Sequence, residues 1–198
     1  TGFGKSHPRM QLKTILNAVE KHKSFVYGEA RWSKNKKARE IEFDVQPRKN
    51  SRPICSGCNK KRPGYDRQAV RRFEYVPLWA IPVFLVYALR RVNCPQCGVV
   101  VEQVPWASGK NQQTYSYRLF LATWAKRLSW QEVAVVFGTS WDSVFRAVRW
   151  VVQWGIAHQD LTNIVSIGID EIQYRRGHKY LTLVYQLDEG AKRLLYVA

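Results

Sequence analysis

All four cysteines fall in two pairs of one spacing, Cys55-Ser-Gly-Cys58 and Cys94-Pro-Gln-Cys97, with 35 residues between the pairs. A Cys-x-x-Cys pair wraps a tight turn and offers two thiolates to one ion. Two such turns complete a tetrahedral four-sulfur site of the kind that holds structural zinc. Gly57 and Gly98 suit the backbone of such turns. Arg52, Lys60 and Lys61 are the cations expected to offset the negative site. A disulfide pair and a redox Cys-x-x-Cys are the competing readings; the first is rare in a cytosolic chain, and the second needs only one pair and a thioredoxin-like pattern. With four protein ligands the metal has no open position, so it is expected to hold structure and do no chemistry.

A second candidate is acidic. The apolar run Ile164-Val-Ser-Ile-Gly-Ile169 stops at Asp170-Glu171, which reads as a buried strand ending in a carboxylate. A strand fixes the direction of such a group, as a divalent-metal ligand requires. A solvent-facing strand end is the plain alternative. Lys179 to Leu187 is a second strand and Arg193 to Val197 starts a third. The turns Arg175-Arg-Gly-His178 and Asp188-Glu-Gly190 join them into an antiparallel meander.

The third candidate is cationic. Ser129-Trp-Gln-Glu132 matches a capping box. The short helix it opens, Trp130 to Phe137 with Val133, Val136 and Phe137 inward, stops at Gly138. Thr139-Ser140 then caps a longer helix to about Trp154, with an apolar stripe of Trp141, Val144, Phe145, Val148, Val151 and Val152. Asp142, Ser143, Arg146 and Arg149 take its outer face. A bracing helix, a glycine turn and an arginine-faced second helix are the parts of a helix-turn-helix. Ser143, Arg146 and Arg149, with Lys126 and Arg127 ahead of the capping box, are the candidate DNA contacts. An ordinary helical hairpin with solvated arginines fits the same pattern. Trp124, Trp130, Trp141, Trp150 and Trp154 read as core residues rather than base-stacking platforms.

These sites need elements to carry them. The helix Leu12, Ile15, Leu16, Val19 is amphipathic, and Phe25 to Trp32 and Ile41 to Val45 are strands separated by a basic turn at Ser33 to Lys37. Phe73 to Val76 and Val83 to Val92 are further strands, and Tyr117 to Leu128 is a helix with Leu119, Phe120, Trp124 and Leu128 apolar. The fold class is therefore an α+β multidomain chain. Residues 1–45 form a helix-and-strand segment, 46–110 a β-rich zinc-ribbon-like module, 111–157 an all-α helix-turn-helix module, and 158–198 the start of a strand-led domain.

Charge narrows the partner. The 198 residues carry 32 Lys+Arg against 15 acids, a formal charge of +17. Of these, 22 bases and 8 acids lie in residues 1–110, whereas residues 158–198 are balanced. Such an excess points to a polyanion, most simply the phosphates of DNA; an anionic membrane surface and plain solvated loops (Lys34 to Arg39, Arg48 to Arg52) compete. The longest charge-free apolar run, Val76 to Leu89, has 14 residues and two prolines, too short to span a bilayer as a helix. No signal peptide is visible, so a cytoplasmic, nucleoid-associated protein is expected. Residues 1–9 precede the single Met10, and Leu194 to Ala198 reads as an unfinished strand, so a piece of a longer protein is also expected.

The ordered set of sulfur pair, sulfur pair, two-helix unit and Ile167-Gly-Ile-Asp170-Glu171 resembles the ISL-three family of bacterial insertion-sequence transposases. Arg52-Pro-Ile-Cys55-Ser-Gly-Cys58, Arg91-Val-Asn-Cys94-Pro-Gln-Cys97, Val104-Pro-Trp106, Trp124-Ala-Lys-Arg-Leu-Ser-Trp130, Thr139-Ser-Trp-Asp142 and Arg176-Gly-His-Lys-Tyr-Leu181 look like that family. The resemblance implies a DDE transposase whose last forty residues here are the first three strands of an RNase H-like α/β domain. Three acids of such a domain hold two Mg or Mn ions for in-line attack on a phosphodiester. Asp170 maps onto the first acid. Glu171 matches the motif beside it but points to the other face of the strand. Asp188 and Glu189 do not fit the remaining roles, so these residues alone are expected to be catalytically incomplete. Arg176 and His178 match a strand-turn motif and are expected to touch DNA or hold structure. The implied partner is double-stranded DNA at terminal inverted repeats, bound by a homodimer in a synaptic complex. A non-catalytic zinc/helix-turn-helix regulator or transposition inhibitor is the alternative; a zinc-ribbon RNA-binding module is weaker because it predicts neither the two-helix unit nor the Asp170 strand.

Overall fold

The computed structural model describes residues 11–34, 39–190 and 193–198. Met10, residues 1–9 and most of the basic turn after Ser33 lie outside the described residues. The chain divides into two compact units, Thr1–Val151 and Val152–Ala198. It is mixed α/β, with four helices and two sheets among the described residues.

The first unit begins with helix α1 (Leu12–Val19), followed by strands β1 (Phe25–Trp32) and β2 (Ile41–Pro47). A long hairpin follows, β3 (Gly64–Leu78) and β4 (Ile81–Cys94), then the short β5 (Gly98–Val101). The sheet order is β1-β2-β4-β3, with β5 also on β4. Neighbouring strands are antiparallel except β2 and β4, which run parallel from Ile41 opposite Val83 to Asp44 opposite Val86. Strands from residues 1–45 and 46–110 thus share one sheet.

The core of this sheet gathers around Trp106, fully buried beyond β5. Phe25, Tyr87 and Phe73 meet its indole edge-on at centroid distances of 4.9, 5.5 and 6.1 Å. Edge-to-face contact places the positive rim of one ring on the negative face of another, which adds about 0.5–1.5 kcal/mol per pair to the area buried. Trp106 also accepts the next element: its carbonyl takes the N–H of Tyr115 at 2.8 Å, the first residue of helix α2 (Tyr115–Trp124). The Thr114 side chain caps α2 by accepting from the Tyr117 N–H.

Helices α3 (Trp130–Val136) and α4 (Trp141–Ala157) complete the helical part. The capping box forms as the sequence predicts: the Ser129 N–H donates to Glu132 Oε2 at 2.8 Å, and the Glu132 N–H to Ser129 Oγ at 3.3 Å. Gly138 takes φ +61°, a left-handed turn that favours glycine. Ser140, not Thr139, caps α4, with its Oγ accepting from the Ser143 N–H at 3.1 Å.

The buried set of these helices is Tyr117, Leu121, Val133, Ala134, Val144 and Ala147. It differs from the expected stripes. Val136, Leu119, Trp141 and Val152 are exposed, while the small residues Ala134 and Ala147 are inside. Close helix packing favours small side chains at the contact and displaces bulky ones to its rim. The tryptophans follow suit: Trp124, Trp141 and Trp154 are substantially exposed, and the buried one is Trp106.

The second unit contains a three-stranded antiparallel meander, β6 (Ile167–Arg175), β7 (Lys179–Gln186) and β8 (Arg193–Val197), in that order. The turns fall where expected, with Gly177 and His178 at φ +89° and +55°, and Gly190 at +78°. The Asp188 carboxylate accepts the backbone N–H of Ser166 at 2.7 Å and of Val165 at 3.3 Å, so it ties the start of β6 to the end of β7.

Candidate metal centre and nucleic-acid interface

The four cysteine sulfurs lie within 4.8 Å of one another, and no disulfide joins them. Two hairpin-like knuckles bring them together. The first closes where the Asn59 N–H donates to the Cys55 carbonyl and the Cys55 N–H to the Lys60 carbonyl, each at 2.9 Å. The second is the connection from β4 to β5, where Cys94 is opposite Gly98. Each knuckle leaves through a left-handed residue directly after its second cysteine, Asn59 (φ +58°) and Gly98 (φ +73°).

Gly57 has a different reason from the one its spacing suggests. It does not take a left-handed φ; instead, a Cβ there would meet Cys97 Sγ at 2.8 Å. The glycine makes room for the opposing sulfur.

The donors fit a tetrahedral thiolate-bound ion. Cys58 Sγ and Cys94 Sγ stand 3.7 Å apart, against an edge of about 3.8 Å for a tetrahedron with metal–sulfur bonds of about 2.3 Å. Electrostatics divides the sulfurs. Burial opposes ionisation of Cys94, but the N–H groups of Gln96 and Cys97 outweigh it and bring the thiol down to about 6. The Lys60 N–H lowers Cys58. Burial and the surrounding sulfurs push Cys97 up to about 12. Four sulfurs this close share protons unless a cation replaces them. The cation at hand is Arg62, whose Nη2 lies 3.9 Å from Cys58 Sγ and 3.3 Å from Gln96 Oε1, bridging the two knuckles. The expected Arg52, Lys60 and Lys61 side chains have no such contact with the sulfurs.

A buried ion pair fastens this centre to the sheet. Glu102, with a fully buried side chain, accepts from the Tyr87 hydroxyl at 2.6 Å and the Arg90 backbone N–H at 2.7 Å. Its other oxygen takes Arg90 Nε and Nη2 at 2.9 and 2.7 Å. Arg90 Nη1 reaches the Ser51 carbonyl at 2.9 Å, and Glu102 itself bridges to Cys55. Nothing in the spacing of Arg90 and Glu102 announces this pair; the β4–β5 turn brings them face to face.

The candidate DNA-contacting cations are on the surface. Arg146 and Arg149 are exposed on α4, and Lys126 and Arg127 are exposed between α2 and α3. Arg146 pairs with Asp142 at 3.1 Å and reaches Ser143 Oγ at 3.4 Å. Such an exposed i,i+4 pair is weak and readily exchanged for phosphate. The neighbouring Arg118 is different. It is buried, its guanidinium 5.3 Å from the Trp150 ring, and burial holds its pKa below the ordinary arginine value.

Asp170 departs from its expected setting. It lies in the middle of β6, not at its end, because the ladder with β7 continues past Asp170–Leu183 to Arg175–Lys179. The strand is an edge of its sheet and Asp170 is exposed, so it is not a buried central position. Its Oδ1 accepts the Glu171 N–H at 2.8 Å. Among the described residues the only cluster of three or more potential metal ligands is the four cysteines; Asp170 belongs to none. Also among them, no helix is long and apolar enough to cross a membrane.

No protein-family profile matches the chain, and no solved structure does. The chain is 35% identical over 158 residues to the transposase for insertion sequence element IS1557 of Mycobacterium tuberculosis, a match covering 78% of this chain and 35% of that protein. It is 23% identical over 145 residues to the transposase for insertion sequence element IS1001 of Bordetella parapertussis, covering 73% of this chain and again 35% of the relative. The chain that builds this four-sulfur centre is thus similar in sequence to insertion-sequence transposases, and the matches span about a third of their length.

Proposed function

We propose that this chain is the DNA-recognition part of an insertion-sequence transposase of the ISL-three type, joined to the first strands of its catalytic domain. The observation that carries the reading is the 35% identity over 158 residues to a transposase. The net charge of +17 supports it, since a surplus of this size favours phosphate contact.

In this reading residues 46–110 are a zinc-ribbon-like module whose Cys55, Cys58, Cys94 and Cys97 hold one zinc. The zinc stiffens a basic sheet and takes no part in cutting. Residues 111–157 act as a helix-turn-helix: α3 braces, and α4 presents Ser143, Arg146 and Arg149 to the major groove. Lys126 and Arg127 hold the flanking backbone. Residues 158–198 begin an RNase H-like domain in which Asp170 is the first of three acids.

A divalent ion such as Mg or Mn at that triad would activate the attacking hydroxyl and stabilise the leaving oxygen. Asp170 would orient it. Exposure suits this task, because a ligand and a phosphodiester must both reach the carboxylate. Asp188 does not serve as a further acid: it is engaged by the Gln186 side chain and two backbone N–H groups, which together hold its pKa below the usual carboxylate value. These 198 residues are therefore proposed to bind terminal inverted repeats without cutting them, and two copies to pair in synapsis.

The test is binding of labelled terminal-repeat duplex as salt is raised. Arg146→Ala with Arg149→Ala is expected to weaken binding and reduce the slope of log affinity against log salt by about 0.9 for each phosphate the variant no longer neutralises. Unchanged affinity and slope would remove α4 from the interface. Metal-dependent cleavage by this chain, abolished by Asp170→Ala, would show that it is catalytically complete.

A further inference from the structure

The β3–β4 hairpin turns through two residues, Trp79 and Ala80, with Leu78 opposite Ile81. Both take left-handed backbone angles, φ +50° and +61°. A two-residue turn with both residues left-handed is the site where Asn-Gly is strongly preferred, because a Cβ crowds the following carbonyl. Neither residue here is Gly or Asn. The strain is not offset by local packing, since Trp79 is 79% exposed. A large aromatic held in a costly conformation, in solvent, is placed to meet something other than its own fold.

The surroundings say what. Pro77 and Pro82 flank the turn and remove two backbone donors, stiffening the tip. Trp32 is opposite Ile41, and Ile41 is opposite Val83, so the end of β1 and the hairpin tip emerge at one end of the sheet. There Trp32 is also exposed, with the Arg39 guanidinium 4.8 Å from its ring centroid, and Lys34 is exposed nearby in sequence. Of the acids near this end, Glu40 is held by Arg72 at 2.5 Å and Glu74 is half-buried in the wall of a cavity rather than on the tip. Pro77 and Pro82 line one cavity together with Phe137, Gly138 and Thr139 of the α3–α4 turn. The end of the sheet that carries Trp79 is therefore next to the start of α4.

We propose that the Trp79–Ala80 hairpin tip is a second duplex-DNA contact, with the Trp79 indole packing against bases or sugars beside the segment engaged by α4. The proposal rests on the DNA-binding reading given above and adds a residue outside the helices to it. The indole supplies apolar contact with sugars or a wedge at a base step, neither of which reads a base edge, and Arg39 and Lys34 supply the phosphate attraction.

The experiment uses the strain itself. Trp79→Asn with Ala80→Gly installs the preferred turn, so the protein is expected to melt higher, by about 2–4 °C, while losing the aromatic. Affinity for a labelled mixed-sequence duplex at fixed ionic strength is expected to fall about tenfold, from the apolar contact the indole no longer makes. Greater stability with weaker binding supports the assignment, since misfolding cannot produce that pair of changes. Duplex binding as tight as that of the unmodified chain overturns it and leaves the tip for a protein surface. An unmodified chain that leaves the duplex free would instead reject the underlying DNA-binding reading, and with it this one.

Discussion

Replacing Gly57 by alanine is expected to weaken the metal centre without touching a ligand. The added Cβ would stand 2.8 Å from Cys97 Sγ and 3.3 Å from Cys97 Cβ. Non-bonded heavy atoms settle at about 3.5–4.0 Å, so one side must give by about 0.7 Å. A bound sulfur has no such freedom, because metal–ligand distances tolerate only about 0.2 Å. The knuckle backbone must then move, and Cys55 at its root is fully buried and bridged to Glu102. Overpacking of this kind costs about 1–3 kcal/mol, and the rigidity of both partners puts Gly57→Ala at the upper end, about 2–3 kcal/mol. That is about 30- to 150-fold in metal affinity. Competition with a chromogenic chelator would read it, with Gly64→Ala as the control, because nothing lies within 4 Å of a Cβ at Gly64. If Gly57→Ala held zinc as tightly as Gly64→Ala, the tight approach of the two knuckles would not exist in solution and the four-sulfur geometry would have to be redrawn.

Two further outcomes follow from groups buried in the first unit. Glu102→Gln leaves the Arg90 guanidinium buried beside a neutral partner, which is expected to cost about 3 kcal/mol or more and lower the melting midpoint by about 6–12 °C; a melt within a degree or two of the parent would mean that solvent reaches Arg90. Burial lowers the pKa of His22, with Glu20 only partly offsetting it, so the unfolded chain binds a proton that the folded chain resists. Stability is then fully present above the ordinary imidazole value of about 6.5 and is lost as pH falls below it, and His22→Gln should shrink the difference between melts at about pH 7.5 and about pH 5.5; an unchanged difference would assign that acid sensitivity elsewhere.

The features most legible in the sequence are those whose cause lies within a few residues. The Cys-x-x-Cys spacing predicts two knuckles, and the capping box at Ser129 and Glu132 forms as written. The strands β1, β2, β7 and β8 form where strand-like runs predict them, and Gly138, Gly177 and Gly190 turn where turns are expected. Less legible is whatever depends on a distant partner. Asp170 reads as a strand end because apolar residues stop there, yet hydrogen bonding to β7 carries β6 five residues further. The helical stripes read as bulky because hydrophobicity marks Trp141 and Val136, while the contact itself selects Ala134 and Ala147.

The sequence by itself determined the donors and their charge: four thiols in matched pairs, a basic front half and a carboxylate in an apolar strand, all properties of residue type and short-range spacing. Only the tertiary structure decided which groups meet. It seated Glu102 under Arg90, brought Arg62 rather than a nearer lysine to the sulfurs, gave Gly57 its place against Cys97, and left Trp79 strained and bare at a hairpin tip. The reason is physical: local conformation is governed by a few neighbouring torsions, whereas these encounters depend on strand register and on a parallel β2–β4 pairing between residues about forty positions apart in the chain.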